Sequence, residues 1–309
     1  MDASGTLPDI GAARRRHLTG IALIVLSTVA WGSGGLFVRL LPYDIWTIVF
    51  WRGIFGTLFV GSYVLYRFGW TTPAVIRRMG SDGVLITVCT VATIILMVSA
   101  FQHTSVANAM TIYAALPFFT AAIAWVWLRE KPSRATIVAS CIVMLGVFIM
   151  LGPSTGGPRL GDLLAAAATG TTAVMTVAIR RSRAVEMLPV AGLATILSAL
   201  IALPFAQHLA DLTPRDYLVA AGFGLGPMTL GMMLYIIGSA IIPAPLSALI
   251  STMEAPIGAL WAWVGVGEAP ALETIIGGAI VLGGVIGRLG LERKSGGEAA
   301  GAVSARQEK

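Results

Sequence analysis

Residues 105–147 read SVANAMTIYAALPFFTAAIAWVWLREKPSRATIVASCIVMLGV, and residues 244–285 read APLSALISTMEAPIGALWAWVGVGEAPALETIIGGAIVLGGV. The two stretches carry one pattern. Ala109 stands eight residues before Pro117, as Ala248 stands eight before Pro256. Glu130 leads into Lys131-Pro132, and Glu268 into Ala269-Pro270. Fourteen residues beyond those second prolines come Gly146-Val147 and Gly284-Val285. Further upstream the agreement is weaker, with Gly20 and Arg39 spaced like Gly161 and Arg180. Both copies are too apolar for water. An internal duplication in a bilayer protein predicts two related halves built around a transport path.

Composition supports the bilayer. The 309 residues are 56% hydrophobic and only 12% charged, with a mean hydropathy of +0.84. A soluble domain carries about 25% charged residues. The net charge of +6 does not point to nucleic acid, because the basic residues fall in short clusters between apolar runs. Cys89 and Cys141 both lie inside apolar runs with no CxxC partner and no histidines at metal spacing, which predicts small packing residues, no metal and no cofactor. Arg14-Arg15-Arg16 before the apolar run from Leu18 resembles a signal sequence, but the run is long enough to span and no small-x-small site follows it. An uncleaved first helix is expected.

Apolar stretches of spanning length predict an all-α integral membrane protein of ten helices: 18–39, 45–66, 83–102, 105–128, 134–151, 161–180, 187–206, 216–239, 244–265 and 270–290. The expected organisation is an N-terminal segment 1–17, a first five-helix repeat 18–152, a linker 153–160, a second repeat 161–291 and a disordered tail 292–309. With the N-terminus inside, seventeen Lys and Arg fall on the cytoplasmic side and three (Arg39, Arg159, Arg215) outside, which with Arg52 accounts for all 21. That asymmetry predicts an inner-membrane protein with both termini cytoplasmic. Five helices per repeat is odd, so the second copy must be inverted. The loop after helix four reads Arg129-Glu130-Lys131-Pro132-Ser133-Arg134, and its counterpart Gly267-Glu268-Ala269-Pro270 has lost every positive charge, as an outward loop should.

These residues resemble the EamA family of the drug/metabolite transporter superfamily. The resemblance is carried by Ala30-Trp31-Gly32, by Arg52, and by the Pro-to-Glu-to-Gly arrangement running from Pro117 through Glu130 to Gly146 and again from Pro256 through Glu268 to Gly284. It covers about residues 18–290 and is specific for fold but weak for substrate. Within the family the chain is most similar to amino-acid exporters, those for aromatic amino acids included. The resemblance implies a central cavity ringed by helices three, four, eight and nine.

Two charges stand where hydrocarbon should be. Arg52 lies about eight residues into helix two and Glu254 about ten into helix nine, whereas every other acid is in a loop, a tail or near a helix end. Aligning the prolines puts Glu254 opposite Ala115, so the scaffold works in one copy without an acid. Glu254 could bind a substrate ammonium group, exchange a proton, or serve as interhelical glue paired with Arg52. Arg52 could contact substrate or lock helix two to a neighbour. Pro117 and Pro256, at equivalent stations, predict either paired gates or permanent kinks. Gly226 and Pro227, in the run Gly222 to Pro227, predict close packing or local unwinding rather than a nucleotide loop, since no strand precedes them.

Trp31, Ser33, Gln102, Asn108, Thr111, Tyr113, Tyr235 and Ser251 complete the candidate pathway, with Gly32-Ser33-Gly34-Gly35 permitting a bend. Trp46, Trp51, Trp70, Trp125 and Trp127 are expected as interfacial anchors, and His103 as a solvated boundary residue. The sequence lacks His-Glu-x-x-His, Gly-x-Ser-x-Gly and a Walker loop, which argues against an intramembrane enzyme and an ATP-driven pump. One buried base is too few for phosphate-bearing substrates. The expected partners are a small zwitterionic, neutral or cationic solute, membrane lipids, and a proton as candidate coupling ion. An exporter of amino acids or similar metabolites is the first reading, and an exporter of lipophilic cations the second.

Overall fold

A computed structural model describes residues 10–129, 160–181, 187–239, 241–242, 250–251 and 253–270, with scattered positions at 138–145 and 272–283. Every regular element among the described residues is helical. The main helices are α1 (Ile10–Gly32), α2 (Gly34–Leu40), α3 (Ile45–Gly56), α4 (Ser62–Phe68), α5 (Thr72–Arg78), α6 (Gly80–His103), α7 (Val106–Tyr113), α8 (Leu116–Leu128), α9 (Leu160–Arg181), α10 (Met187–Ala202), α11 (Pro214–Phe223), α12 (Met232–Ser239) and α13 (Glu254–Val266). Two π-helical segments, Thr57–Gly61 and Gly224–Gly231, join α3 to α4 and α11 to α12. Six of the resulting rods are long and apolar enough to cross a membrane. The expected helices 134–151 and 270–290, the first half of 244–265 and Cys141 fall largely outside the described residues.

Local chemistry fixes the helix ends. Asp44 caps α3 by accepting from the backbone N–H groups of Trp46 and Thr47, and Thr213 forms a reciprocal capping box with Asp216 at α11. Although burial pushes the Asp44 carboxyl up, hydrogen bonds from the Thr47 hydroxyl and from the N–H groups of Thr47, Gln207 and Trp46 outweigh it and hold the group below the usual carboxylate range. The first helix begins at Ile10, eight residues earlier than hydropathy predicts, because its first turns are basic and only the later ones apolar.

The core joins both halves of the sequence. Val38, Ile48, Val49, Val98, Phe101, Val106, Phe118, Ala165, Ala194, Phe223 and Ala262 belong to one buried cluster. Leu26, Leu58, Leu65, Val88, Leu200 and Val264 are instead exposed, which suits a surface solvated by lipid tails. Cys89 is a buried free thiol within α6.

Candidate functional site

The chain breaks its spanning helices where the sequence places prolines and glycines. Before Pro117 the helix stops at Tyr113; Ala114 and Ala115 form a tight turn in which the Ala115 N–H donates to the Ile112 carbonyl at 3.1 Å, and α8 restarts at Leu116. Before Pro256 the same event recurs. Met253 donates to the Ile250 carbonyl at 3.0 Å and α13 restarts at Glu254. A proline cannot donate to the carbonyl four residues back and its ring clashes with it, so the preceding turn tightens to a three-residue bond. Both restarted helices run for 13 residues and end on a left-handed cap, Arg129 in one and Gly267 in the other. Helix one is broken too, at Ser33, whose hydroxyl donates to the Ala30 carbonyl at 2.6 Å.

These breaks relocate Glu254. The sequence places it inside a continuous helix; the structure makes it the first residue of α13, where backbone N–H groups free of intrahelical partners and the helix dipole favour a carboxylate. Tyr113, from the end of α7, is near enough to feel the charge of Glu254 and the hydroxyl of Thr172 on α9. Thr172 continues the polar chain: its hydroxyl lies 3.1 Å from that of Thr93 on α6, which is also 2.8 Å from that of Thr171. An acid, a phenol and three hydroxyls from four segments thus form one polar trail inside an apolar bundle. The backbone of α1 closes on the same place, since a Cβ on Gly32 would lie 2.9 Å from Ile257 and 3.4 Å from the Glu254 carbonyl oxygen.

Sequence reasoning missed Thr93, Thr171 and Thr172. A signal was available: Arg180 follows Arg39 by 141 residues, and the same step carries Trp31 to Thr172. Trp31 itself packs against Tyr235 with ring centroids 5.1 Å apart, making an aromatic wall on α1 and α12. Thr111 is buried and donates to the Ala107 carbonyl, and Ser251 carries a buried hydroxyl without a partner among the described residues.

Other candidates lie elsewhere. Gln102 donates to the Tyr43 carbonyl at 2.9 Å, and Asn108 donates to Asp162 and to Thr104. Both belong to a network at the end of the molecule that holds residues 41–44, 102–108 and 267–268. There Arg39 Nε is 2.7 Å from Glu268 Oε2, Arg39 Nη2 donates to the Thr104 carbonyl at 2.9 Å, and Glu268 Oε1 accepts from the Val106 N–H at 2.6 Å. The duplicated Glu268 thereby ties α2, α7 and α13 together. The Nε contact is a close ion pair rather than an aligned hydrogen bond. His103 is exposed, with Nδ1 2.8 Å from the Ser99 carbonyl oxygen.

Arg52 is buried and has no carboxylate partner among the described residues. Its Nη2 lies 3.2 Å from Met228 Sδ and its Cζ 5.0 Å from the Phe223 ring centre. Gly226 and Pro227 sit in the π-segment Gly224–Gly231, where a Cβ on Gly224 would fall 2.7 Å from the Gly56 nitrogen. Val60, Tyr63, Leu188, Met228, Thr229, Met232 and Met233 line a shallow depression beside this segment that is too small to admit a water molecule. Trp51 differs from the expected anchors, since its Nε1 is buried and its ring meets Tyr217 edge-on at 4.8 Å. Among the described residues no group of three or more His, Cys, Asp or Glu is arranged to hold a metal.

Comparison with known proteins places this geometry. The model of the EamA-like transporter family matches twice, over residues 18–152 and 159–289. An uncharacterized transporter of Archaeoglobus fulgidus is 25% identical over 270 residues, covering 86% of this chain and 95% of that protein. A solved crystal structure shares the fold with a TM-score of 0.53 at 21% identity, covering 89% of this chain and 95% of the other.

Proposed function

We propose, from the premise that the chain belongs to the EamA-like transporter family and is an integral membrane transporter, that it exports small amine-bearing solutes with Glu254 at its centre. Amino acids, aromatic ones included, are the first substrate class. The transporter is secondary and works by alternating access between two inverted five-helix halves, 18–152 and 161–291, joined by the linker 153–160, with ten spans in all and both termini in the cytoplasm. The observation that carries this reading is the trail from Glu254 through Tyr113 to Thr172, Thr93 and Thr171. A half-buried carboxylate at a mid-span helix break, near phenol and hydroxyl groups, suits an ammonium group or a transferable proton.

The Trp31–Tyr235 wall favours a solute with an apolar or aromatic body. That wall also suits lipophilic cations, which makes a drug exporter the second reading. Pro117 and Pro256 act as paired gates, and the Arg39–Glu268 tie closes the end that the positive-inside asymmetry assigns to the periplasm. Purified protein in liposomes, assayed for uptake of labelled amino acids with and without a proton gradient, tests this. Uptake that rises with the gradient supports proton-coupled amino-acid transport. Uptake of lipophilic cations alone would replace it with the second reading.

A further inference from the structure

Among the described residues Arg52 is the one buried base whose burial the preceding account leaves without a use. Its residue is 7% exposed, and Nε and Nη1 are enclosed with no hydrogen-bond partner among the described residues. A guanidinium stays charged in any protein environment, so the group cannot escape its burial by losing a proton. What it has instead is weak: a thioether, a poor acceptor, at Met228, and the face of Phe223. Breaking a buried ion pair is strongly destabilising because one charge is left alone, and Arg52 is in that condition as it stands. The open donors form part of a planar fork that matches a carboxylate.

The surroundings describe how such a group could arrive. Met228 belongs to the π-segment Gly224–Gly231, where Thr229 bonds back to the Gly224 carbonyl five residues away and Pro227 withholds a donor. Segments of this kind are frequent at functional sites. Met228 itself is a flexible, unbranched side chain, set in a shallow depression beside Val60, Thr229 and Met232, and it can swing off the guanidinium without moving backbone. Phe223 in turn stacks on Phe37 of α2 at 5.5 Å, and a Cβ on Gly34 would touch Phe223 at 3.8 Å. Arg52 therefore flanks the helix-one break at Ser33 through Gly34, as Glu254 flanks it through Gly32. A single monoanionic group is what one unpaired cation can neutralise; a phosphate would demand more.

We infer that Arg52 is a carboxylate-binding residue, with Met228 the side chain that a carboxylate displaces. The inference rests on the transporter reading for its biological use but not on Glu254. It separates the two substrate classes: a zwitterion satisfies Arg52, whereas a lipophilic cation is repelled by it.

Two measurements test it. In liposomes, uptake of phenylalanine, leucine and alanine is compared with uptake of their C-terminal amides. Wild type should favour each acid by about tenfold or more, since a site built to hydrogen-bond a group rejects the analogue that lacks it. Arg52→Gln should lose that preference by slowing the acid alone, and Arg52→Lys should restore part of it. In detergent, phenylacetate and benzoate should raise the thermal midpoint of wild type and of Met228→Leu but not of Arg52→Gln, with chloride and phosphate as controls; Arg52→Lys serves if the glutamine variant does not fold. Stabilisation by carboxylates without transport of any amino acid would keep the site and remove the transporter reading. Equal transport of acids and amides, with no Arg52-dependent stabilisation, would overturn the site and leave that reading standing.

Discussion

Residues 106–129 and 250–267 solve one local problem twice, and they differ at the point that matters. In each, a helix stops one tight turn before a proline, restarts for 13 residues and ends in the left-handed region. The first copy has Ala114 and Ala115 in the turn, and Ala115 is 1% exposed in the main core cluster. The second copy begins its restarted helix with Glu254, whose charge is felt at Tyr113. Proline chemistry explains the break in both copies; it does not explain an acid in one. The duplicated scaffold thus serves as an internal control, and it separates what the fold needs from what has been added to it.

The control can be challenged by exchange. Ala115→Glu puts an acid where the first copy has closed packing and no phenol to meet it. It should lower stability by about 3 kcal/mol or more, read as a fall in the unfolding midpoint of the purified protein. A variant as stable as wild type would mean that both stations accept an acid and that the asymmetry carries no information.

A smaller contrast concerns the caps. Arg129 holds φ 56 and Gly267 holds φ 71, a region that costs a non-glycine residue strain. Gly267→Ala should destabilise by about 1 kcal/mol and Arg129→Gly should stabilise by a somewhat smaller amount. Equal and negligible effects at the two sites, measured by the same unfolding assay, would show that lipid or loop contacts set these caps rather than backbone preference.

The sequence made much of this legible, for reasons that differ by element. Long apolar runs are dictated by the bilayer, so α6 (Gly80–His103) and α9 (Leu160–Arg181) lie within a few residues of their expected ranges. The breaks before Pro117 and Pro256 follow from a missing N–H and a ring clash, both readable locally. The break at Ser33 follows from its glycine neighbours. The π-segment Thr57–Gly61 was not legible, because no proline marks it and it answers to helix contacts across the bundle. Nor was the Arg39–Glu268 tie, which joins residues that only tertiary packing brings together. Thr93, Thr171 and Thr172 escaped notice because threonine in a spanning helix ordinarily bonds to its own backbone, as Thr172 also does to the Ala168 carbonyl.

The central claim is that Glu254 serves transport rather than scaffold, and Glu254→Ala tests it most directly because Ala115 shows that the scaffold accepts alanine at the matching station. The variant should keep the wild-type unfolding midpoint to within about 1 kcal/mol, as expected where no packing is disrupted. In liposomes it should lose uptake of amino acids while Glu254→Gln, which keeps the shape, loses it as well. Retained uptake at wild-type rates with unchanged pH dependence would contradict the account and leave Glu254 as a helix-capping acid.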